Sequence, residues 1–333
     1  MKAATTQGFG TNAVLIVQDT KRPPVGPDEV LVEVYASSVN PKDWKLNFNI
    51  SAFMPKLGGL ITPFIIGDDL AGIVVEKGSK VTGFELGDEV YGMNMRLRTT
   101  ACAEYASIGQ RFIAHKPKNI TFKEAASVPL AAQTALQAFQ IGGLNSGDKI
   151  LIVGASGGVG TFAVQIAKAM GAHVTGVCSG RNTEMVTRLG ADEVIDYTTQ
   201  DYLNDSASNN KSFDMVLDAT SYESLSSCSS LLKENGIYVT TAGNGTAHLN
   251  LIKDNLRYRK QKSKVVIVDS ITQDLETLKG FIEQGLVKPV VDGEYSLENI
   301  HDAYLRSKTG RAAGKIVINI KESEEKKTES VTG

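Results

Sequence analysis

Gly154, Gly157 and Gly160, with Gly158 between the last two, form a G-x-x-G-x-x-G run after the apolar segment "KILIV". Glycines at this spacing let the backbone turn tightly, approach a pyrophosphate and pack helix against strand. A helix beginning near Gly158 would offer the N–H groups of Gly158, Val159 and Gly160 to phosphate oxygens, with Ser156 beside them. A strand ending at Val153 and another resuming at His173 supply the βαβ context that a glycine cluster needs. The competing reading is a tight βαβ turn that holds no ligand.

The residues after the second strand address which dinucleotide would bind. An Asp or Glu about 20 residues beyond such a turn accepts from the ribose 2′-hydroxyl of NAD. Here that window reads Cys178-Ser179-Gly180, followed by Arg181. No carboxylate stands there to repel a 2′-phosphate, Ser179 can donate a hydrogen bond, and Arg181 can donate a charged one. The expected cofactor is therefore NADPH, against a reading of Arg181 as a solvated arginine at a helix start. Tyr197, after the third strand, is a candidate for contact with the adenine or its phosphate, or for plain packing at a strand end.

The elements that must position these residues fall into two textures. "EVLVEVYASSV" (Glu29–Val39) alternates as a half-buried strand, and "AGIVVEKG" and "GDEVYGM" follow as short strands with glycine turns. They predict an antiparallel, barrel-like domain. From Thr121 the sequence turns helical, with Ser127 an expected N-cap and Pro129 in the first turn. Strands and helices then alternate, which predicts a doubly wound parallel sheet. "SLSSCSSLLKENG" reads as one of its helices, and Lys264–Ile271 as its last strand. Strand, helix and strand return before "KESEEKKTESVTG", a charged tail expected to be disordered. The expected fold is thus α/β: a barrel domain from residues 1–124 and 272–322, a doubly wound domain over 125–271, and a tail over 323–333.

Composition narrows the function classes. Across 333 residues the net charge is -2, with no basic stripe, which argues against nucleic acid as the partner. No apolar run approaches the roughly 20 residues of a membrane span. "MKAATTQGFG" shows no apolar h-region, so a cytoplasmic location is expected. Cys102, Cys178 and Cys228 form no CxxC, which fits a reducing compartment.

The segments "SSVNPKDWK", "GDDLAGIVVEKGSKVTGFELGDEVYG", "AEYASI", "VPLAAQTALQAF", "GASGGVGTFAVQIAKAMGA", "LGADEVIDY" and "GKIVI" occur in order over nearly the whole chain. Together they resemble the zinc-free quinone oxidoreductase branch of the medium-chain dehydrogenases/reductases. "NPKDWK" and "SGRN" are most similar to its plant envelope and enone-reducing homologues. The resemblance implies a GroES-like domain from the chain ends and a Rossmann domain between, with the cofactor in the cleft. It also implies a homodimer joined through Rossmann edge strands, "KVVIV" here.

The resemblance also assigns residues. Zinc alcohol dehydrogenases carry a Cys where this chain has Asn40 and a His where it has Asp68, with a third Cys near Ala131 to Gln133. No metal is therefore expected. Asn40 would face the nicotinamide and donate to a developing enolate. Asp43 would fix its loop, and Lys45 is a further candidate donor. Thr134, Gly243 and Asn244 would line the cofactor. Phe48, Phe53 and Phe64, with Met54 and Leu57, would form an apolar mouth in place of the Tyr found in bacterial members. The implied activity is hydride transfer from NADPH to a small hydrophobic quinone or to the double bond of an enone or alkenal. A zinc-type alcohol dehydrogenase and a non-catalytic NADPH-binding or RNA-associated module are the alternatives.

Overall fold

The alternation at Glu29–Val39 forms a strand that is buried along most of its length because it lies in the middle of a sheet. The structure, a computed structural model, describes residues 1–7, 14–43, 64–94, 101–204, 213–241, 254–258 and 260–322. Strands β1 (Lys2–Gln7), β2 (Val14–Asp19), β3 (Glu29–Val39), β4 (Phe64–Ile65) and β5 (Asp69–Lys77) open the chain, followed by β6 (Glu89–Met93), β7 (Tyr105–Gly109) and β8 (Ile113–His115). Strand β1 lies between β2 and β4, and β3 pairs antiparallel with both β5 and β7. Val30, Val32 and Val34 alternate along β3 into the barrel core.

Two helices follow, where one N-cap was expected at Ser127. Helix α1 (Phe122–Ala126) is capped by Thr121, whose hydroxyl accepts from the Glu124 N–H while the Glu124 carboxylate accepts from the Thr121 N–H. Ser127 instead closes α1 and donates to the Glu124 carbonyl, which leaves no side-chain cap of its own for α2 (Pro129–Gly142). Pro129 does start α2. Helix α2 is buried around most of its circumference between the two sheets, so its glutamines need partners. Gln137 donates to Asp274 at 2.7 Å and to the Asp269 carbonyl at 2.8 Å.

The second sheet carries β9 (Lys149–Val153), α3 (Gly158–Ala169), β10 (His173–Cys178), α4 (Thr183–Arg188), β11 (Glu193–Asp196), β12 (Phe213–Asp218), α5 (Leu225–Cys228), β13 (Leu232–Thr241) and β14 (Lys262–Val266). Its order is β11-β10-β9-β12-β13-β14 and every pair is parallel. This is the doubly wound arrangement whose ligands bind beyond the strands' carboxyl ends, where the order reverses between β9 and β12. Two expectations are corrected. The helix expected from "SLSSCSSLLKENG" is only the four residues of α5, and its second half extends β13 down to Leu232. Strand β14 begins at Lys262 and ends at Val266, short of the expected Ile271.

The chain then returns through α6 (Thr272–Glu283), β15 (Val291–Ser296), α7 (Ile300–Lys308) and β16 (Lys315–Asn319). Strand β16 pairs antiparallel with β3, so the two ends of the chain share one sheet. Among the described residues no helix is long and apolar enough to cross a membrane.

Candidate functional site: a seam between the two sheets

The glycine turn has the geometry that phosphate binding needs. Gly154 sits at φ +80°, and a Cβ on Gly160 would lie 2.1 Å from the Gly154 carbonyl oxygen. Only a bare backbone closes the turn this tightly. Gly157 stands at the N-cap of α3 with no side-chain cap, so no capping side chain accepts from the first N–H groups, those of Gly158, Val159 and Gly160. These residues fit a dinucleotide pyrophosphate.

Asn182 ties the turn to the loop at Ser179–Arg181. Its Nδ2 donates to Ser156 Oγ at 3.0 Å and to Ser179 Oγ at 3.4 Å. Arg181 Nη2 donates to the Arg311 carbonyl at 3.3 Å, which reaches from the Rossmann side to the loop before β16. That loop is held by Asp292, which takes a bidentate pair from Arg306 at 2.7 and 2.8 Å and a bond from the Ala313 N–H. It meets the glycine turn through a bridge between Gly157 and Gly314. Tyr197 follows β11, is exposed, and donates its N–H to the Cys178 carbonyl. One acid lies closer than the sequence window implied. A Cβ on Gly180 would come 2.5 Å from Asp196 Oδ2. Bonds from Thr198 hold the Asp196 carboxyl below the usual carboxylate range.

On the other side of the seam, Asn40, Asp43, Asp68 and Asp69 are all buried. Asp69 Oδ2 accepts from Ser38 Oγ at 2.5 Å, Asn40 Nδ2 at 2.8 Å and Lys315 Nζ at 3.2 Å. Its Oδ1 accepts from the Leu130 N–H at 2.8 Å. One carboxylate therefore joins β3, β16 and the start of α2, and supplies the cap that α2 lacks. Lys315 also donates to Asn40 Oδ1, and its aliphatic chain lies against Gly158. Asn40 was expected to donate to substrate, but one of its two N–H bonds is taken by Asp69 and its oxygen by Lys315. Thr134 donates its hydroxyl proton to the Leu130 carbonyl at 2.7 Å, within its own helix.

Asp43 Oδ2 accepts from the Asn40 N–H at 2.8 Å, as a loop-fixing residue would. Burial, and then the charge of Asp68, hold its pKa well above the usual range. Burial also raises Asp68 to about 6, against the opposing pull of Lys42, whose Nζ is 2.8 Å away. This arrangement does not fit a zinc site. Where a His ligand would stand, Asp68 is engaged by an ammonium. Among the described residues no group of three or more His, Cys, Asp and Glu side chains could hold a metal ion.

Lys45, Phe48, Phe53, Met54, Leu57, Gly243 and Asn244 lie outside the described residues, as does the side chain of Phe64. Sequence reasoning missed Lys42, Asp69, Asn182, Asp196 and Lys315. A signal existed for two of them: Asp69 and Lys315 are charges placed directly before apolar runs, Leu70–Val75 and Ile316–Ile318, and a charge buried there requires a partner.

Comparison with known proteins agrees with this architecture. Residues 26–134 match the alcohol dehydrogenase GroES-like domain, and residues 189–318 match the family described as zinc-binding dehydrogenase. The chain is 34% identical to an Arabidopsis thaliana chloroplast envelope quinone oxidoreductase homolog, over 87% of this chain and 89% of the relative. It is 33% identical to a Solanum lycopersicum 2-methylene-furan-3-one reductase, over 96% of this chain and 79% of the relative. The quinone oxidoreductase of Coxiella burnetii superposes with a TM-score of 0.85 at 28% identity, covering 96% of this chain and 99% of that one. With a GroES-like sheet, a Rossmann sheet and a glycine turn facing the seam between them, this chain belongs to the medium-chain dehydrogenase/reductase family, in its quinone oxidoreductase branch.

Proposed function

We propose that this chain is an NADPH-dependent, zinc-independent reductase of quinones or of the carbon–carbon double bond of hydrophobic enones and alkenals. The observation that carries this reading is the seam itself. Lys315 links the glycine turn to Asn40 and Asp69, which supports reading the turn and the buried polar cluster as parts of one site. The bound cofactor would supply hydride. The chain's own part is to bind, orient and stabilise charge.

Ser179 and Arg181 favour the 2′-phosphate form of the cofactor. A conjugated acceptor suits a site without a metal, because the arriving charge spreads onto a carbonyl oxygen that hydrogen-bond donors can stabilise. The tomato relative is named as a reductase of a furanone that carries an exocyclic methylene, and the Arabidopsis relative as a quinone oxidoreductase homolog. Both acceptor types are conjugated carbonyls. Strand β14 is an edge strand, with Ile267 beyond it 66% exposed, which supports a homodimer joined there.

A panel of quinones, alkenals, alkenones and γ-ketols, each assayed with NADPH and with NADH, tests the reading. The expected product of an enone is the saturated carbonyl by mass spectrometry. An allylic alcohol would exclude double-bond reduction, and oxidation of simple alcohols restored by zinc would favour the alcohol dehydrogenase alternative.

A further inference from the structure

Lys42 and Asp68 form an ion pair that folding alone does not call for. The Asp68 side chain is 0% exposed, and neither of its carboxylate oxygens has a hydrogen-bond partner of good geometry among the described residues. The Lys42 side chain, 26% exposed, brings its ammonium to within 2.8 Å of Asp68 Oδ2. Replacing such a pair with apolar residues is often neutral or stabilising. Asp43, packed beside Asp68, has its pKa raised by burial and by the Asp68 charge, and the cation that stands against Asp68 is Lys42. The location is specific. Lys42 lies in the helical turn at 41–43, next to Asn40, which Lys315 connects to the glycine turn. The sequence pointed to Lys45 as a donor; Lys42, like Lys315, has its ammonium held by a buried carboxylate at the seam, and of the two it is the one that keeps solvent access, 26% against 4%.

The geometry points to Lys42 as the cationic catalytic residue of this cleft: its ammonium, anchored by Asp68, meets the acceptor's carbonyl oxygen, stabilises the charge arriving there and donates a proton to it. This rests on the reductase reading above, with hydride supplied by the reduced nicotinamide. As a C–H bond forms at the β-carbon of an enone, the double-bond pair moves toward the carbonyl and the carbonyl pair moves onto oxygen. A Lys42 N–H bond breaks and an O–H bond forms, which leaves an enol and a neutral amine beside Asp68. A water O–H bond then breaks as the C–H bond forms at the α-carbon, the enol oxygen returns its proton to Lys42, and hydroxide leaves to solvent. One hydride and one water-derived proton are consumed per saturated carbonyl.

The test uses the full chain and two readouts. Lys42→Met alone would strand Asp68 as an unpaired buried charge, so the main variant is Lys42→Met with Asp68→Asn. In the first readout 4-nitrophenol, whose anion resembles an enolate, is titrated by absorbance into the complex with NADP⁺. The wild-type chain should bind the phenolate and lower the probe's apparent pKa, the double variant should lose that shift, and Lys42→Arg should keep it. In the second, the double variant's kcat for an enone should fall about 100-fold or more, as for loss of a general acid. KM should change much less, and NADPH binding by fluorescence should be unchanged. A double variant that keeps the phenolate shift, or keeps kcat within a few-fold, overturns the role of Lys42. A wild-type chain that reduces no acceptor yet shows a Lys42-dependent phenolate shift overturns the reductase reading and leaves Lys42 as the anion-stabilising cation.

Discussion

Arg181 has two uses for one guanidinium. It crosses to the Arg311 carbonyl, and it follows β10 where a cofactor 2′-phosphate is expected. The bond to Arg311 is long and exposed, so a phosphate can draw the side chain away at little cost. Arg181→Ala should weaken NADPH binding by about 1.5–3 kcal/mol, the worth of a charged hydrogen bond. NADH binding should barely change; equal losses in calorimetric titrations with both cofactors would show that Arg181 does not read the phosphate. Asp68 gives a prediction about pH. Its pKa of about 6 in the folded chain exceeds the ordinary 3.8, so the folded state binds this proton more tightly than the unfolded chain. Its contribution to stability is therefore greatest below pH 4 and is lost as pH rises through the window to about 6. Asp68→Asn, which cannot ionise, should gain on wild type across that window, by about 3 kcal/mol in total. Urea denaturation of both chains at pH 4, 5, 6 and 7 reads this directly, and a constant difference would refute it.

At the scale of elements, the start of α3 depends on two glycines in different ways. A Cβ at Gly160 would collide with the Gly154 carbonyl at 2.1 Å, whereas one at Gly157 meets that same atom at 3.4 Å. Gly160→Ala must push the turn away from the helix, at a cost of about 1–3 kcal/mol in stability, as in other overpacked sites, with loss of cofactor affinity. Gly157→Ala should melt within a few degrees of wild type, because its φ of -81° suits alanine. Thermal unfolding with and without NADPH separates the two effects. If both variants melt like wild type, close packing is not what the glycine at 160 provides. Helix α2 shows another dependence. Its cap comes from Asp69 on β5, about sixty positions earlier in the chain, so the helix start is set by tertiary contact.

At the scale of the molecule, the site lies where the two sheets meet. Lys315 reaches from β16 to Asn40 and Gly158, and Asp69 reaches from β5 to α2, so the cluster is complete only when both chain ends have joined. Because Lys42 stands against Asp68, no metal is needed to offset that carboxylate. Dialysis against a chelator should leave NADPH-dependent reduction intact, with metal analysis confirming removal. Loss of activity that zinc restores would overturn zinc independence.

The amino-acid sequence by itself determined the layout. Period-2 alternation in β3, the glycine run before α3 and the alternation of strands and helices up to β14 are local signals, each written within about ten neighbouring residues. The same holds for the glycine turn and for the Ser179–Arg181 loop. Boundaries were less legible. A serine before Pro129 reads as an N-cap, yet Ser127 ends α1 because the next helix takes its cap from a distant carboxylate. "LLKENG" reads as helix, yet Leu232 pairs with Phe213 in the sheet. The polar cluster was decided by tertiary structure alone. Lys42 and Asp68 are 26 positions apart, and Asn40 and Lys315 are 275 apart. Spacing in sequence carries no information about such pairs. Burial leaves the Asp68 and Asp69 carboxylates and the Lys315 ammonium little solvent, so their partners are the groups that the fold delivers.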